Sequence, residues 1–288
     1  MTKRDWKKVN QKYIKRGEFL LNPKFLETWI KELNKLNNRK VGEPYHYPNS
    51  LIEFIGYFHC RGFGYRECQG IIQSISRLML KIPVISYTQI CRRLNKLELN
   101  TGVSEKDLIV AVDGSGEKVS NRGEWIRQKW KVRKGWVKVV VMGTPSGMVV
   151  DLRVGNEKLD ERKAARGMIR RNHSKIKYVM MDGLHDSRKT FNLCEKYNLG
   201  TAIKVRKNSR TRSKGSPRRR KEVVRYKKLG HSGWVKETGY GHRWPASEGI
   251  FSADKRIFGE NVRAKKKRNM YHEIKLKFLY YNKLLEIT

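Results

Sequence analysis

The spacing of apolar residues changes once along the chain, near residue 100, and divides it into a helical part and a strand-rich part. In the first part Phe25, Leu26, Trp29, Ile30, Leu33 and Leu36 fall three or four apart and predict one buried helix face. Asn22 and Pro23 before them have the cap-then-proline order of a helix start, and residues 1–21 read as a basic arm. Ser50 and Glu53 stand at capping-box spacing, with Leu51, Ile52, Ile55 and Phe58 as the stripe of that helix. A turn at residues 61–64 leads to a third stripe, Tyr65, Cys68, Ile72, Ile75 and Met79, which Pro83 ends. Ser86 and Gln89 open a short helix with Ile90, Cys91, Leu94 and Leu97 inward and Thr88, Gln89, Arg92 and Arg93 outward. The last two helices match a helix-turn-helix in outline, with a longer connection, residues 81–85, than that motif uses. A helical bundle with a solvated basic face matches the same pattern.

In the second part the apolar run 108–112 predicts a buried strand that ends in Asp113 and a Gly-Ser-Gly turn. After the polar stretch 117–134, runs 137–142 and 149–154 flank a turn with Pro145 and Gly147, which predicts a hairpin. Asp160 is placed to cap a helix through Ile169, and the run 176–181 predicts a strand that ends in Asp182 and Gly183. A helix over 187–198 and a strand over 201–205 follow; strand, helix, strand of these lengths predicts two parallel neighbours. Residues 206–228 carry a single acid, Glu222, among many cations and predict a solvated loop. Residues 223–228 and 234–238 are expected to pair as a basic hairpin. From Ala246 the pattern is helical, with Glu248 and Lys255 on one face, and Ile274, Phe278, Tyr281 and Leu285 predict a closing helix.

Charge narrows what such a chain binds. A formal net charge of +38 in 288 residues repels itself unless a polyanion is near, so nucleic acid is the expected partner. No apolar run reaches the roughly 18 residues of a membrane span, and no signal-peptide core follows the N-terminus, so neither membrane nor export is expected. Cys60, Cys68, Cys91 and Cys194 form no CxxC pair, which points to reduced thiols, and His59 with Cys60 and Cys68 fits no common zinc spacing.

Asp113 and Asp182 are then the informative acids, each placed after a buried strand and before a glycine. Taken singly, either is also explained as a turn or cap residue. Together with Glu248 on a later helix they can converge at one sheet edge. Carboxylate oxygens suit magnesium or manganese, and two such ions about 4 Å apart drive phosphodiester cleavage and transfer. The cationic surface would grip the DNA.

The residues around these acids carry a family resemblance. VDGSG at Asp113, MMDGLHDSRKTFNLCEKYNLG at Asp182, the following IKVRKNS, and SEGIFSADKR at Glu248 resemble the signature blocks of DDE transposases of bacterial and archaeal insertion sequences. LIEFIGYFHCRGFGYRECQG and YTQICRRLNKLEL resemble that family's N-terminal helical region. The resemblance implies an α/β fold: a ribonuclease H-like mixed sheet flanked by helices over residues 105–288, with a basic insertion at about 206–245, behind an all-α DNA-binding region over 1–100. It implies Asp113, Asp182 and Glu248 as a metal-binding catalytic triad for Mg2+ or Mn2+, with two ions expected. It also implies double-stranded DNA, transposon ends and target, as substrate, a homodimer on DNA, and a place in the prokaryotic cytoplasm with the nucleoid.

Tyr240, Arg243, Glu248 and Lys255 resemble the family's Tyr, Arg, Glu, Lys pattern, with one extra residue between Arg243 and Glu248. By that pattern Arg243 and Lys255 hold phosphates, while Lys255 on a helix surface is also placed to pair with Glu248 or Asp254. Asp182 rather than Asp186 is the expected ligand, because Asp186 sits where a helix cap belongs. Arg206, Lys207, Arg92, Arg93 and Trp234 complete the expected DNA contacts, Trp234 and Trp244 as stacking rings for opened bases. A DNA-binding relative without catalysis, and a ribonuclease H-fold nuclease that cuts without joining, are the competing readings.

Overall fold

The computed structural model describes residues 5–20, 24–80, 82–98, 100–119 and 135–287. The expected start at Asn22 and Pro23 and most of the polar stretch after residue 119 lie outside them. Two units divide the chain: residues 1–100 with 257–259 and 276–288, and residues 101–256 with 260–275. The sequence reading placed all of 105–288 in one domain, whereas two late segments join the first unit.

The first unit is helical. Its elements are α1 (Trp6–Leu20), α2 (Lys24–Glu27), α3 (Trp29–Asn37), α4 (Asn49–Cys60), α5 (Tyr65–Ile75), extended by a π-helical turn over Ser76–Leu80, and α6 (Tyr87–Leu94). Leu51, Ile52, Ile55, Ile72, Ile90 and Leu94 are buried, as their spacing requires. The Ser86 hydroxyl caps α6 by accepting from Gln89 N at 3.3 Å. The capping box expected at Ser50 does not form: Pro48 is the N-cap, and Ser50 N donates instead to Glu32 Oε2 at 3.1 Å.

The second unit is built on one mixed sheet in the order β3-β2-β1-β4-β5. Its strands are β1 (Leu108–Val119), β2 (Trp136–Gly143), β3 (Val149–Asn156), β4 (Ile176–Met181) and β5 (Gly200–Ile203), with the short β6 (Asn261–Val262) beside the end of β1. β1, β2 and β3 are antiparallel in turn, and β4 and β5 run parallel to β1. The expected hairpin and the expected parallel crossover are both present, and the order and directions are those of a ribonuclease H-like sheet.

Helices α7 (Glu161–Asn172), capped by Asp160, and α8 (Arg188–Lys196), capped by Ser187, pack on one face. Ala165, Met168 and Ile169 of α7 and Phe191 and Cys194 of α8 meet Val110 and Val112 there. On the other face Ala111, Met180 and Ala202 pack against Trp234 and Ala246. These come from α9 (Pro217–Thr238) and α10 (Arg243–Ala246), which precede α11 (Glu248–Phe258) and α12 (Lys267–Glu286).

Two expectations change here. β1 does not end at Asp113: it runs on to Val119, because β2 pairs with it throughout, Asp113 opposite Val141 and Lys118 opposite Trp136. Gly114 and Gly116 are strand residues chosen for room. A Cβ on Gly114 would sit 2.7 Å from the Glu161 carboxyl, and one on Gly116 would sit 2.9 Å from the Trp136 ring. The basic hairpin is instead α9, started by Ser216 and Pro217 and stopped by Gly239 at φ 66°, with a break at Gly230 (φ 67°).

Candidate active site

The register of β1 and β4 brings the first two acids together. Their parallel pairing ends at Val112 opposite Met181, so Asp113 and Asp182 are the next residue on each chain. Beyond this point β1 has lost β4 as a neighbour, which opens an edge beside both carboxylates. Asp113 shares the face of Ala111 by strand alternation, the face covered by α9 and α10. Asp182 Oδ1 accepts from Leu184 N at 3.0 Å and caps the 3-10 turn Gly183–His185, leaving the side chain 42% exposed.

Glu248 reaches the same edge through Gly143. A Cβ at Gly143 would lie 2.5 Å from the Ala246 carbonyl oxygen, so the glycine lets α10 rest on the sheet and starts α11 beside it. Arg243 then ties the acids together. Its Nη1 donates to Asp113 Oδ2 at 2.9 Å and its Nη2 to Glu248 Oε1 at 2.8 Å.

Burial alone would lower the Arg243 pKa; Tyr240, Asp113 and Glu248 outweigh it and hold the guanidinium above its usual value. Tyr240 stands 5.6 Å from that guanidinium, ring centroid to Cζ. Burial, helped by Asp182 and Asp113 and opposed by Arg243, pushes its phenol up to about 12. His185, 2% exposed, has Nε2 3.8 Å from Asp182 Oδ1. Burial pushes it below its ordinary value, against the pull of Asp182, Glu161 and Asp113. Two separate groups thus feel both Asp113 and Asp182.

The other expected contacts divide sharply. Lys207 and Arg92 are exposed. Lys255 is half-buried on α11, and its charge adds to that of Lys118 in holding the Glu260 carboxyl below its ordinary value. Arg206, though exposed, spends its guanidinium on the Asp182 turn, with Nε to Gly183 O at 2.9 Å and Nη2 to Leu184 O at 3.2 Å. Arg93 lies over the Tyr45 ring at 4.3 Å and donates to Asn49 Oδ1 at 2.9 Å, so it serves the helical unit. Trp234 is fully buried and its indole N–H donates to Glu222, which leaves no face for a base. Trp244, by contrast, is 59% exposed one residue after Arg243.

Asp186 is the helper that the sequence did not reveal. Its Oδ1 accepts from Arg219 Nε at 2.6 Å; its Oδ2 accepts from Arg206 N at 3.1 Å, Ser209 Oγ at 2.7 Å and Arg219 Nη2 at 3.0 Å. The buried carboxylate therefore staples the basic segment after β5 to the turn that carries Asp182. Gly143 was also hidden, read as part of a hairpin turn.

Asp113, Asp182 and Glu248 are oxygen donors of the kind that hard divalent cations take, so the donor set fits magnesium or manganese. Among the described residues no three His, Cys, Asp or Glu side chains stand close enough to hold an ion as placed, the Arg243 guanidinium lying between Asp113 and Glu248.

Comparison with known proteins decides the family. A model described as the transposase DDE domain matches residues 104–283, well over half of the chain, and a second model of the same description matches residues 14–122. The chain belongs to the transposase DDE-domain family. This transposase is by family an enzyme of metal-dependent phosphoryl transfer on DNA, and divalent metals are the cofactors such domains use. No curated protein matches it.

Among solved structures, a piggyBac transposase synaptic complex with hairpin DNA is similar at 11% identity and a TM-score of 0.32, covering 88% of the transposase and 78% of that chain. A simian T-cell lymphotropic virus intasome in complex with the PP2A regulatory subunit B56 gamma is similar at 12% identity and a TM-score of 0.26, covering 71% and 72%. At these scores neither bears on the assignment. Among the described residues no helix of the transposase is long and apolar enough to cross a membrane.

Proposed function

We propose that this transposase binds the terminal inverted repeats of a mobile DNA element, cuts at their ends and joins them to a target, with Asp113, Asp182 and Glu248 as ligands of two Mg2+ or Mn2+ ions. The observation that supports this most is the bridge Asp113–Arg243–Glu248 beside the end of β4, where Asp182 is the next residue. When bound, the ions would polarise the phosphodiester and activate a water or 3′ hydroxyl. The chain's own residues supply position and charge. Arg243 keeps Asp113 and Glu248 oriented and offers a cation to a phosphate at that edge. The Arg206 clamp and the buried Asp186 fix the turn that presents Asp182.

Lys207 and Lys255 would hold flanking phosphates, and exposed Trp244 offers a ring to an opened base. In the first unit, Thr88, Gln89 and Arg92 on the open face of α6 would read duplex DNA in the manner of a recognition helix. Two such chains, one per DNA end, would act as a dimer on DNA.

The test is to incubate the full chain with duplex DNA carrying the element's own ends and Mg2+ or Mn2+, comparing wild type with Asp182→Ala. Cleaved ends and joined product are expected from wild type only. Equal activity in the variant would overturn the triad; cleaved ends without joined product would mark a nuclease; binding without cleavage would mark a relative that only binds.

A further inference from the structure

A groove of about 450 Å³ runs along α7 on the sheet side away from Asp113, and none of the residues assigned above lines it. One wall is the edge strand β3, where Asp151, Arg153 and Gly155 alternate toward α7. The floor is Leu159, which can lie against the strand because position 155 has no side chain: a Cβ there would come within 3.1 Å of it. The other wall is the face of α7 formed by Lys163, Ala164, Gly167 and Arg171, at helical spacing. Small residues at 164 and 167 hollow this face, and glycine is among the poorest residues for a helix interior. A Cβ at Gly167 would meet only the Arg171 Nη1 at 3.6 Å, so no packing demands the glycine.

The rim is cationic. Arg153, Lys158, Lys163 and Arg171 line the groove together with Asp160, whose Oδ1 is engaged as the cap of α7 by the backbone N–H groups of Arg162 and Lys163, and Asp151 on the β3 wall is the second acid beside it. Arg171 is held in place by Asp151, with Nη2 to Oδ2 at 2.9 Å and Nε to the same oxygen at 3.2 Å. A concave strip with an apolar floor and three cations besides the paired Arg171 along its rim matches the sugar-phosphate backbone of DNA, sugar against floor and phosphates against rim. It begins at the residue before Glu161, the side chain that lies over Gly114 next to Asp113.

We propose that this groove is a second DNA-backbone track, separate from the acid edge, that grips a duplex segment through Arg153, Lys158 and Lys163. The proposal rests on the transposase reading. It is tested by measuring the affinity of the full chain for a random-sequence duplex across a salt series, for wild type, Lys158→Glu/Lys163→Glu, Gly167→Leu and a charge-matched control, Lys189→Glu/Lys196→Glu on α8. The groove pair should lose about tenfold or more in affinity, with a salt slope shallower by about 2, one unit per lost phosphate contact. Gly167→Leu changes no charge and suits a helix, yet should weaken binding several-fold by filling the groove, while the control loses less than the groove pair. Equal losses in groove and control pairs, with Gly167→Leu binding like wild type, would overturn the track and leave the transposase reading intact. Failure of wild type to bind duplex DNA at all would overturn that reading as well.

Discussion

Asp182 and Asp186 sit four residues apart on one turn and have opposite fates. The Asp186 side chain has no exposed surface and accepts four hydrogen bonds, two of them from one guanidinium. Asp182 is 42% exposed and spends one oxygen on a single backbone N–H. A carboxylate saturated by its own protein has no lone pairs left for a ligand, whereas a half-satisfied one at an open edge does. The turn thus separates an acid that builds from the acid proposed to act, and the builder holds Arg206, whose guanidinium clamps the Gly183 and Leu184 carbonyls of that turn.

The sharpest way to break this contrast is to remove each charge without changing shape. Asp182→Asn should cut strand cleavage by about a thousandfold or more, since several kcal/mol of transition-state stabilisation at 1.36 kcal/mol per decade is lost. Its stability in a urea titration should stay within about 0.5 kcal/mol of wild type. Asp186→Asn should do the reverse first, losing about 3 kcal/mol because Arg219 is left largely buried without its partner. Equal stability losses in the two variants would erase the distinction.

A smaller effect is expected from Gly143→Ala. The added methyl must displace the Ala246 backbone, costing about 1–3 kcal/mol and moving the start of α11 off the sheet. Cleavage should fall by more than the lost stability explains, at a temperature where the variant is fully folded. Unchanged activity would show that Glu248 is not placed by this contact.

The mildest test is pH. Burial raises the Asp186 pKa, but Arg219, Ser209 and the Arg206 N–H outweigh it, so the net value lies below the ordinary 3.8. A depressed carboxylate contributes stability that is fully present above its unfolded pKa and lost as pH falls through the folded one. Wild type should therefore lose stability below about pH 4 more steeply than Asp186→Asn, measured as urea midpoint against pH. Parallel acid limbs would mean that folding does not depress the Asp186 pKa.

Much of this edge was legible in the residues. Continuous apolar runs placed β1 and β4, and an acid followed by glycine marked the point at which the two strands stop pairing. Asp160 and Ser86 cap the helices they precede, because a cap is a local hydrogen bond within three residues, while the cap expected at Asp186 is supplied by Ser187. Even α9 had its signals, Ser216 and Pro217 at the start and Gly239 at the stop, which the valines at 223–224 and the turn-like LGHSG obscured.

What the chain could not say locally was which charge faces which partner. Arg93, Arg206 and Arg243 all read as phosphate contacts, yet one lies on Tyr45, one clamps the Asp182 turn and one bridges two acids. Trp234 read as a stacking ring and is core. By itself the sequence determined the buried strands, the caps at Asp160 and Ser86, the polyanion-seeking charge and the three acids proposed as ligands, all set by neighbours a few residues away or by composition. Tertiary structure alone decided that β1 runs past Asp113, that Gly143 seats α10 on the sheet, and that Asp186 is sealed while Asp182 stays open. Each of these depends on the register between segments far apart in the chain, and a carboxylate's partner is settled only when those segments meet.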